Sequence, residues 1–207
     1  KLVPKIRSTA GILYLIYFVL TLFQIILLLF GDLSFFEAVN IGFSTAGTGG
    51  FGIRNNSAAG YSPYVQWVIA VFMFLFGVNF NMYYLILFKK FKKAFGIEEI
   101  RCYFILVLTA IGLIFIDLCR MGMTVSESLR HAAFQVTSLI SSTGFMTADY
   151  DLWSQMSKTI LLLTMFVGAC AGSTGGGIKV SRFVILFKTV RKELYSYIHP
   201  KSILKIK

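Results

Sequence analysis

The sequence predicts an all-α membrane protein made of two tandem helix–pore-helix–helix repeats with re-entrant loops and a broken last helix. Three observations carry that prediction. Hydrophobic residues make up 57% of the 207 residues and charged residues only 14%, against roughly a quarter charged in soluble domains. Four long apolar runs carry no charge at all. Two shorter apolar segments, each ending in small and hydroxyl residues and then Gly-Phe, sit at matched places between those runs. This composition excludes a water-soluble enzyme and a disordered chain and makes lipid the solvent.

The first run covers residues 9–31, 23 residues without charge. The second covers 61–88, 28 residues. The third, 102–116, has only 15, and Leu118 and Cys119 extend it past Asp117. The fourth, 159–178, has 20, and its apolar pattern resumes through Phe187. About 20 helical residues cross a bilayer, so four spans are expected, the third being the shortest. Between the first and second lies FFEAVNIGFSTAGTGGFG (35–52), and between the third and fourth LRHAAFQVTSLISSTGFM (129–146). Each is apolar for about three turns, too short to span. Gly50-Phe51 and Gly144-Phe145 are 94 residues apart, the mark of an internal duplication. That places His131 opposite Glu37. The expected units are a first repeat at 1–93, a second at 94–195 containing an intramembrane Gly-rich loop, and a cytoplasmic basic tail at 196–207. Because the chain begins at Lys1 rather than Met and ends in that tail, it is expected to be a piece of a longer one. No secretory signal is evident, since the first apolar run is longer than an h-region.

The net charge of +11 is explained by position. With the N-terminus inside, one flank collects 15 basic residues, including Lys89, Lys90, Lys92 and Lys93, and the other only Arg54, Arg120, Arg130 and Lys158. This is the positive-inside asymmetry, with anionic lipid as the partner of the surplus, so nucleic acid is not expected as a partner. The outer flank holds six acids, Asp32, Glu37, Asp117, Glu127, Asp149 and Asp151. They form either a mildly cation-concentrating vestibule or ordinary loop solvation.

A half-helix that returns to its own side leaves carbonyls without helical partners at its C-terminal end, where the helix is partly negative. Backbone of this kind is tolerated at membrane depth only inside protein or along a wet cavity. Aimed at a common axis, such carbonyls replace the water around a cation. The residues there must be small, because several backbones converge, and glycine supplies the unusual angles. TAGTGG (45–50) and SSTG (141–144) meet both demands. The fourth run is the second anomaly. MFVGACAGSTGGGIKVSR (165–182) carries Gly168, Gly172, Gly175, Gly176 and Gly177, each costing a helix interior about 0.5–1 kcal/mol. Lys179 adds a charge at membrane depth, costly unless it meets polar groups or water. Helix pairing through small residues accounts for Gly168 and Gly172 but not for the triple glycine and the lysine, which point to a gate or a substrate site. A phosphate-binding loop is excluded: no Ser/Thr follows the lysine and no strand precedes the glycines.

Other candidates are weaker. Cys102, Cys119 and Cys170 show no paired spacing and give neither a zinc site nor a disulfide framework, and Cys170 reads as small buried filler. His131 reads as a packing or hydrogen-bonding residue of the short helix, and His199 as interfacial. Asn79 and Asn81 either bond between helices, the favoured reading, or face a pore. No nucleophile–base set or carboxylate pair suggests an enzyme.

At AFQVTSLISSTGF (133–145), FSTAGTGGF (43–51) and above all GACAGSTGGGIKVSR (168–182), the chain resembles the Trk/Ktr/HKT superfamily of potassium transporters, in particular the membrane subunit of the bacterial Trk type. The likeness covers nearly the whole chain and includes RKELYSYIHPKSI (191–203). It implies four helix–pore-helix–helix repeats around one pore, of which this chain looks like the second and third. It implies a potassium filter at Gly47, Thr48, Gly49, Gly50, Ser141, Ser142, Thr143 and Gly144, with looser selectivity than a TVGYG channel. It implies a gate at Gly172, Ser173, Thr174, Gly175, Gly176, Gly177 and Lys179, moved by a cytosolic nucleotide-binding subunit. Potassium is then the transported ion, with no covalent cofactor. The implied setting is the plasma (inner) membrane, multi-pass, with this chain's N-terminus cytoplasmic and homodimers of complete subunits. The alternatives are a secondary transporter that binds an organic substrate at the broken helix, which the parallel repeats disfavour, and a non-conducting membrane scaffold.

Overall fold

The computed structural model describes residues 6–199. Lys1, Lys5 and most of the basic tail (200–207) lie outside the described residues. Among these, nine α-helices and one 3-10 turn account for the regular structure, and there is no strand. The helices are α1 Ile6–Leu29, α2 Phe35–Ala46, α3 Pro63–Gly77, α4 Phe80–Leu87, α5 Phe91–Ala94, α6 Glu98–Arg120, α7 Val125–Ile140, α8 Gln155–Val167 and α9 Val180–Ile198.

Among the described residues, two helices are long and apolar enough to cross a membrane, α1 over Thr9–Leu29 and α6 over Glu98–Arg120. The third expected span thus runs well beyond its charge-free 15 residues. Asp117 does not end α6 because its carboxylate accepts the hydroxyls of Ser154 and Ser157 at the start of α8. A half-buried acid so bonded, beside a helix N-terminus, is tolerated.

The second expected span is not one helix. It divides into α3 and α4, bent by 89°, and counts as a third crossing only if the bent pair is taken together. Ser62 caps α3 and Pro63 opens it, as a proline without an N–H can. Val78 and Asn79 then leave the helical region, with ψ of 150° and 121°. The Asn79 side chain accepts the N–H of Asn81 at 2.9 Å and so caps α4, a local bond that competes with helix continuation. The Asn79 amide also donates to Glu99 of α6 at 3.2 Å, so Asn79 bonds between helices, as favoured, from a break in the span. The fourth span is also interrupted. α8 stops at Gly168, with φ 69°, and α9 starts only after Lys179, with φ 77°.

Both halves are thus one long helix, one short helix and one broken helix. Their offset is not constant. The caps of the short helices, Ser34 and Thr124, are 90 residues apart, whereas the turns after them are 94 apart. The difference is one helical turn: α2 has 12 residues and α7 has 16. At the cap, the counterpart of Glu37 is therefore Glu127, with His131 one turn further on.

The halves meet where α3 packs on α7. Phe134 and Phe145 of the second half are buried in the first half's core, beside Ile69, Met73 and Phe76. Val78 and Met82 of the first half are buried in the second's, with Tyr103 and Ala169. The outward face of α1, including Tyr14, Phe18, Leu22 and Ile26, is exposed, as lipid or further protein requires. At the α3 end, a Cβ on Gly77 would fall on the Tyr103 hydroxyl. Gly77→Ala is therefore expected to destabilise the fold by about 1–3 kcal/mol through overpacking. Thermal unfolding in detergent checks this: Tyr103→Phe, which removes the hydroxyl, should recover part of the loss in the double variant.

Candidate functional site

The site grows from the two short helices. α2 opens with a capping box, in which Ser34 Oγ accepts the Glu37 N–H and the Glu37 carboxylate accepts from Ser34. Arg54, in the segment after the first turn, reaches back to Glu37 at 3.0 Å, donates to the Gly60 carbonyl and stacks over Tyr61. Bonding from the Ser34 N–H, helped by Arg54, holds the Glu37 carboxyl below the usual carboxylate range. α7 opens on Thr124, whose Oγ1 accepts the Glu127 N–H and donates to the Glu127 carboxylate. His131 meets the Thr147 hydroxyl at 2.9 Å through Nδ1.

At the other ends the two turns share three matched backbone bonds, and Gly144 adds a fourth, at 3.4 Å to Ser138 O, that Gly50 lacks. Gly47, Thr48 and Gly49 donate their N–H groups to Phe43, Thr45 and Ser44; Ser141, Ser142 and Thr143 donate to Thr137, Leu139 and Ser138. Thr48 and Ser142 have φ of 52° and 61°, and Gly50 and Gly144 have 71° and 87°. Left-handed backbone costs a threonine or serine about 1–2 kcal/mol, so finding it at both 94-related positions marks a constrained shape rather than a slack loop. With the N–H groups of 47–49 and 141–144 turned back into their helices, the carbonyls of 47–50 and 141–144 accept no hydrogen bond among the described residues. The hydroxyls mostly serve the scaffold. Ser141 Oγ bonds Thr137 O and Thr143 Oγ1, both at 2.7 Å, and Ser141 and Thr143 are buried while Ser142 and Gly144 are exposed. Ser44 and Ser138 brace the Gly-Phe ends, one accepting the Phe51 N–H and the other donating to the Phe145 carbonyl.

The turns touch each other. A Cβ on Gly50 would land on the Thr143 carbonyl oxygen, whereas the same position on Gly144 faces open space.

The third component is the 168–179 segment, which lies against both turns. The Thr48 hydroxyl donates to the Thr174 carbonyl at 3.2 Å, and Thr174 Oγ1 donates to Phe76 O at 3.4 Å. A Cβ on Gly175 would stand 2.9 Å from Ser141 O, and one on Gly176 would stand 3.1 Å from Ser142 Oγ. Gly177 packs on Gly168 with no room for a side chain between them. Ser173 Oγ donates to Cys170 O, and Lys179 Nζ donates to the Gly175 carbonyl, so the segment's own backbone gives the lysine a polar partner. Cys170 is fully buried. A cleft of about 590 Å³ opens beside Gly172, Ser173 and Thr174, walled by Tyr14 and Tyr17 of α1 and Phe80 of α4.

One participant is missed by a reading of residue types. Glu99, which looks like one of two solvated acids at the start of α6, accepts the Ala171 N–H through Oε1 and the Asn79 amide through Oε2. Its neighbour Glu98 pairs with Lys188. Adjacent helical residues point about 100° apart, the signal that the two acids serve different partners. Among the described residues, no three His, Cys, Asp or Glu side chains gather as a metal site.

Known proteins resemble this chain in sequence and in fold. A family model described as TrkH, cation transport protein, matches residues 1–207. The chain is 34% identical over 215 residues to the Trk system potassium uptake protein TrkH of Salmonella typhimurium. It is 32% identical over 212 residues to that of Escherichia coli. Each alignment takes in 100% of this chain and 44% of the relative. The crystal structure of the potassium transporter TrkH from Vibrio parahaemolyticus superposes with a TM-score of 0.90 at 27% identity, covering 100% of this chain and 45% of that one. The chain thus spans less than half the length of these relatives. Matched by the family model from its first residue to its last, it belongs to the TrkH family of cation transport proteins.

Proposed function

We propose that this chain supplies two of four repeats, 1–93 and 94–195, around one pore that takes up potassium. The observation that carries the reading is the pair of 94-related turns with left-handed backbone and unbonded carbonyls, in contact at Gly50 and Thr143. Gly47, Thr48, Gly49 and Gly50 with Ser141, Ser142, Thr143 and Gly144 form half of the filter, and the backbone rather than the hydroxyls faces the ion. The relatives named as potassium uptake proteins support potassium as the ion. The open space at Gly144 supports a further loop beside it, where Gly50 already has Thr143.

The pore runs through the inner membrane with the N-terminus of this chain cytoplasmic, which puts the KKFKK cluster and the 590 Å³ cleft on the inner side. Potassium sheds water at the turns and is drawn by the inward-negative potential, about 2.3 kcal/mol per charge per 100 mV. The 168–179 segment, including Gly172, Ser173, Thr174, Gly175, Gly176, Gly177 and Lys179, stands behind the filter as the gate. Its contacts with Thr48 and Ser142 support that placement. A cytosolic nucleotide-binding subunit moves it, and complete subunits pair as homodimers.

The primary test is uptake. Expressed in its complete form, the protein should restore growth of a potassium-transport-deficient host on limiting potassium, and failure with normal membrane insertion would exclude the reading. In the same assay Gly50→Ala should cut potassium flux by at least about tenfold, because the methyl group strikes a filter carbonyl in addition to straining the backbone. Gly144→Ala, strained but not obstructed within these two repeats, should cost less; equal flux in both variants and wild type would remove the filter assignment. Lys179→Ala, which unties the Gly175 carbonyl, should raise single-channel open probability several-fold at unchanged unitary conductance.

A further inference from the structure

We propose that Glu99 is a positioning residue that latches the 168–179 segment in its docked place, a role that rests on the gating reading above. The entry to the segment, residues 170–172, is held at one junction by three elements. The Cys170 N–H donates to Gly77 O at 3.0 Å at the end of α3. The Phe80 N–H, in the first turn of α4, donates to Gly172 O at 3.1 Å. Between these two, the Ala171 N–H goes to Glu99 on the first turn of α6. Glu99 uses its second oxygen on the Asn79 amide at 3.2 Å, and Asn79 is the residue that caps α4 and sets the α3/α4 bend. Glu99 is the one charged group in this set of bonds. The tip of the segment, by contrast, is held by neutral bonds of 3.2 and 3.4 Å through Thr48 and Thr174. Bonds to an ionised acceptor are roughly twice as strong as neutral ones. Glu99 therefore governs how long the base of the segment stays docked, and through it whether the tip stays against the filter. It touches neither turn and contributes nothing to ion coordination.

The geometry gives a donor–acceptor exchange as the test, read by single-channel recording of the complete protein in planar bilayers. Glu99→Ala removes both bonds and should raise open probability about tenfold, the usual value of a hydrogen bond to a charged group, with unitary conductance and ion selectivity unchanged. Asn79→Asp keeps the α4 cap, since Asp caps as well as Asn, but sets two carboxylates face to face, and it should also raise open probability. Combining N79D with E99Q restores a donor opposite an acceptor and leaves an oxygen for Ala171, so it should return open probability close to wild type. A merely structural role would not produce that rescue. The latch is overturned if Glu99→Ala gates like wild type, if it alters conductance or selectivity instead, or if the exchanged pair fails to rescue. Should Glu99→Ala not reach the membrane, N79D and the exchanged pair carry the test alone. Deleting residues 175–177, which touch neither Glu99 nor Asn79, separates the two levels. Unchanged gating would sink the gate and the latch together, whereas increased opening beside wild-type Glu99 variants would sink only the latch.

Discussion

Every feature of this fold answers to one constraint: backbone polar groups held among apolar helices must find a partner. The two turns meet it on one side only. Each N–H at 47–49 and 141–143 returns to its own helix, and the carbonyls that follow are left bare. The 168–179 segment meets it by borrowing partners from its surroundings: Gly77 O, the Phe80 N–H, Glu99 and the Thr48 hydroxyl. A helix that satisfied itself internally would have had no bonds to share with the turns.

Packing fixes the distance over which these groups act. The seam of α3 against α7 buries Phe145 at 1% exposure in the first half's core, so the second turn is anchored in the first repeat. The small residues sit where backbone meets backbone, as Gly50 does with Thr143 and Gly177 with Gly168. Asp117, received by two serine hydroxyls, lets α6 run 23 residues and brings Glu99 at its far end to the segment.

Much of the fold was legible in the pattern of residues. The matched Gly-Phe turns stood out because small residues interrupt apolar runs at a fixed separation, and the break after Gly168 because five glycines and a lysine cannot continue an apolar helix. The bend between α3 and α4 was not legible. It depends on one side chain, Asn79, choosing its neighbour's N–H, and the surrounding residues are as apolar as those of a continuous span. The extra turn of α7 was also hidden, because the turn register of 94 residues says nothing about where capping begins. Of the candidate site, the residues of the turns and of the glycine segment could be named from their types. Glu99 could not, because its role comes from the approach of Ala171, 72 residues away in sequence.

The unequal lengths of α2 and α7 give the proposed pore an asymmetric mouth. Four more residues add about 6 Å of helix axis, so the acid in the first turn of α7 stands farther from its turn than Glu37 does from its own. Glu37 is paired with Arg54, whereas the Glu127 carboxylate bonds the Thr124 hydroxyl of its own cap, with Arg130 one turn along. In the proposed pore the two acids would therefore meet an arriving cation at different heights, the acid of α7 before Glu37.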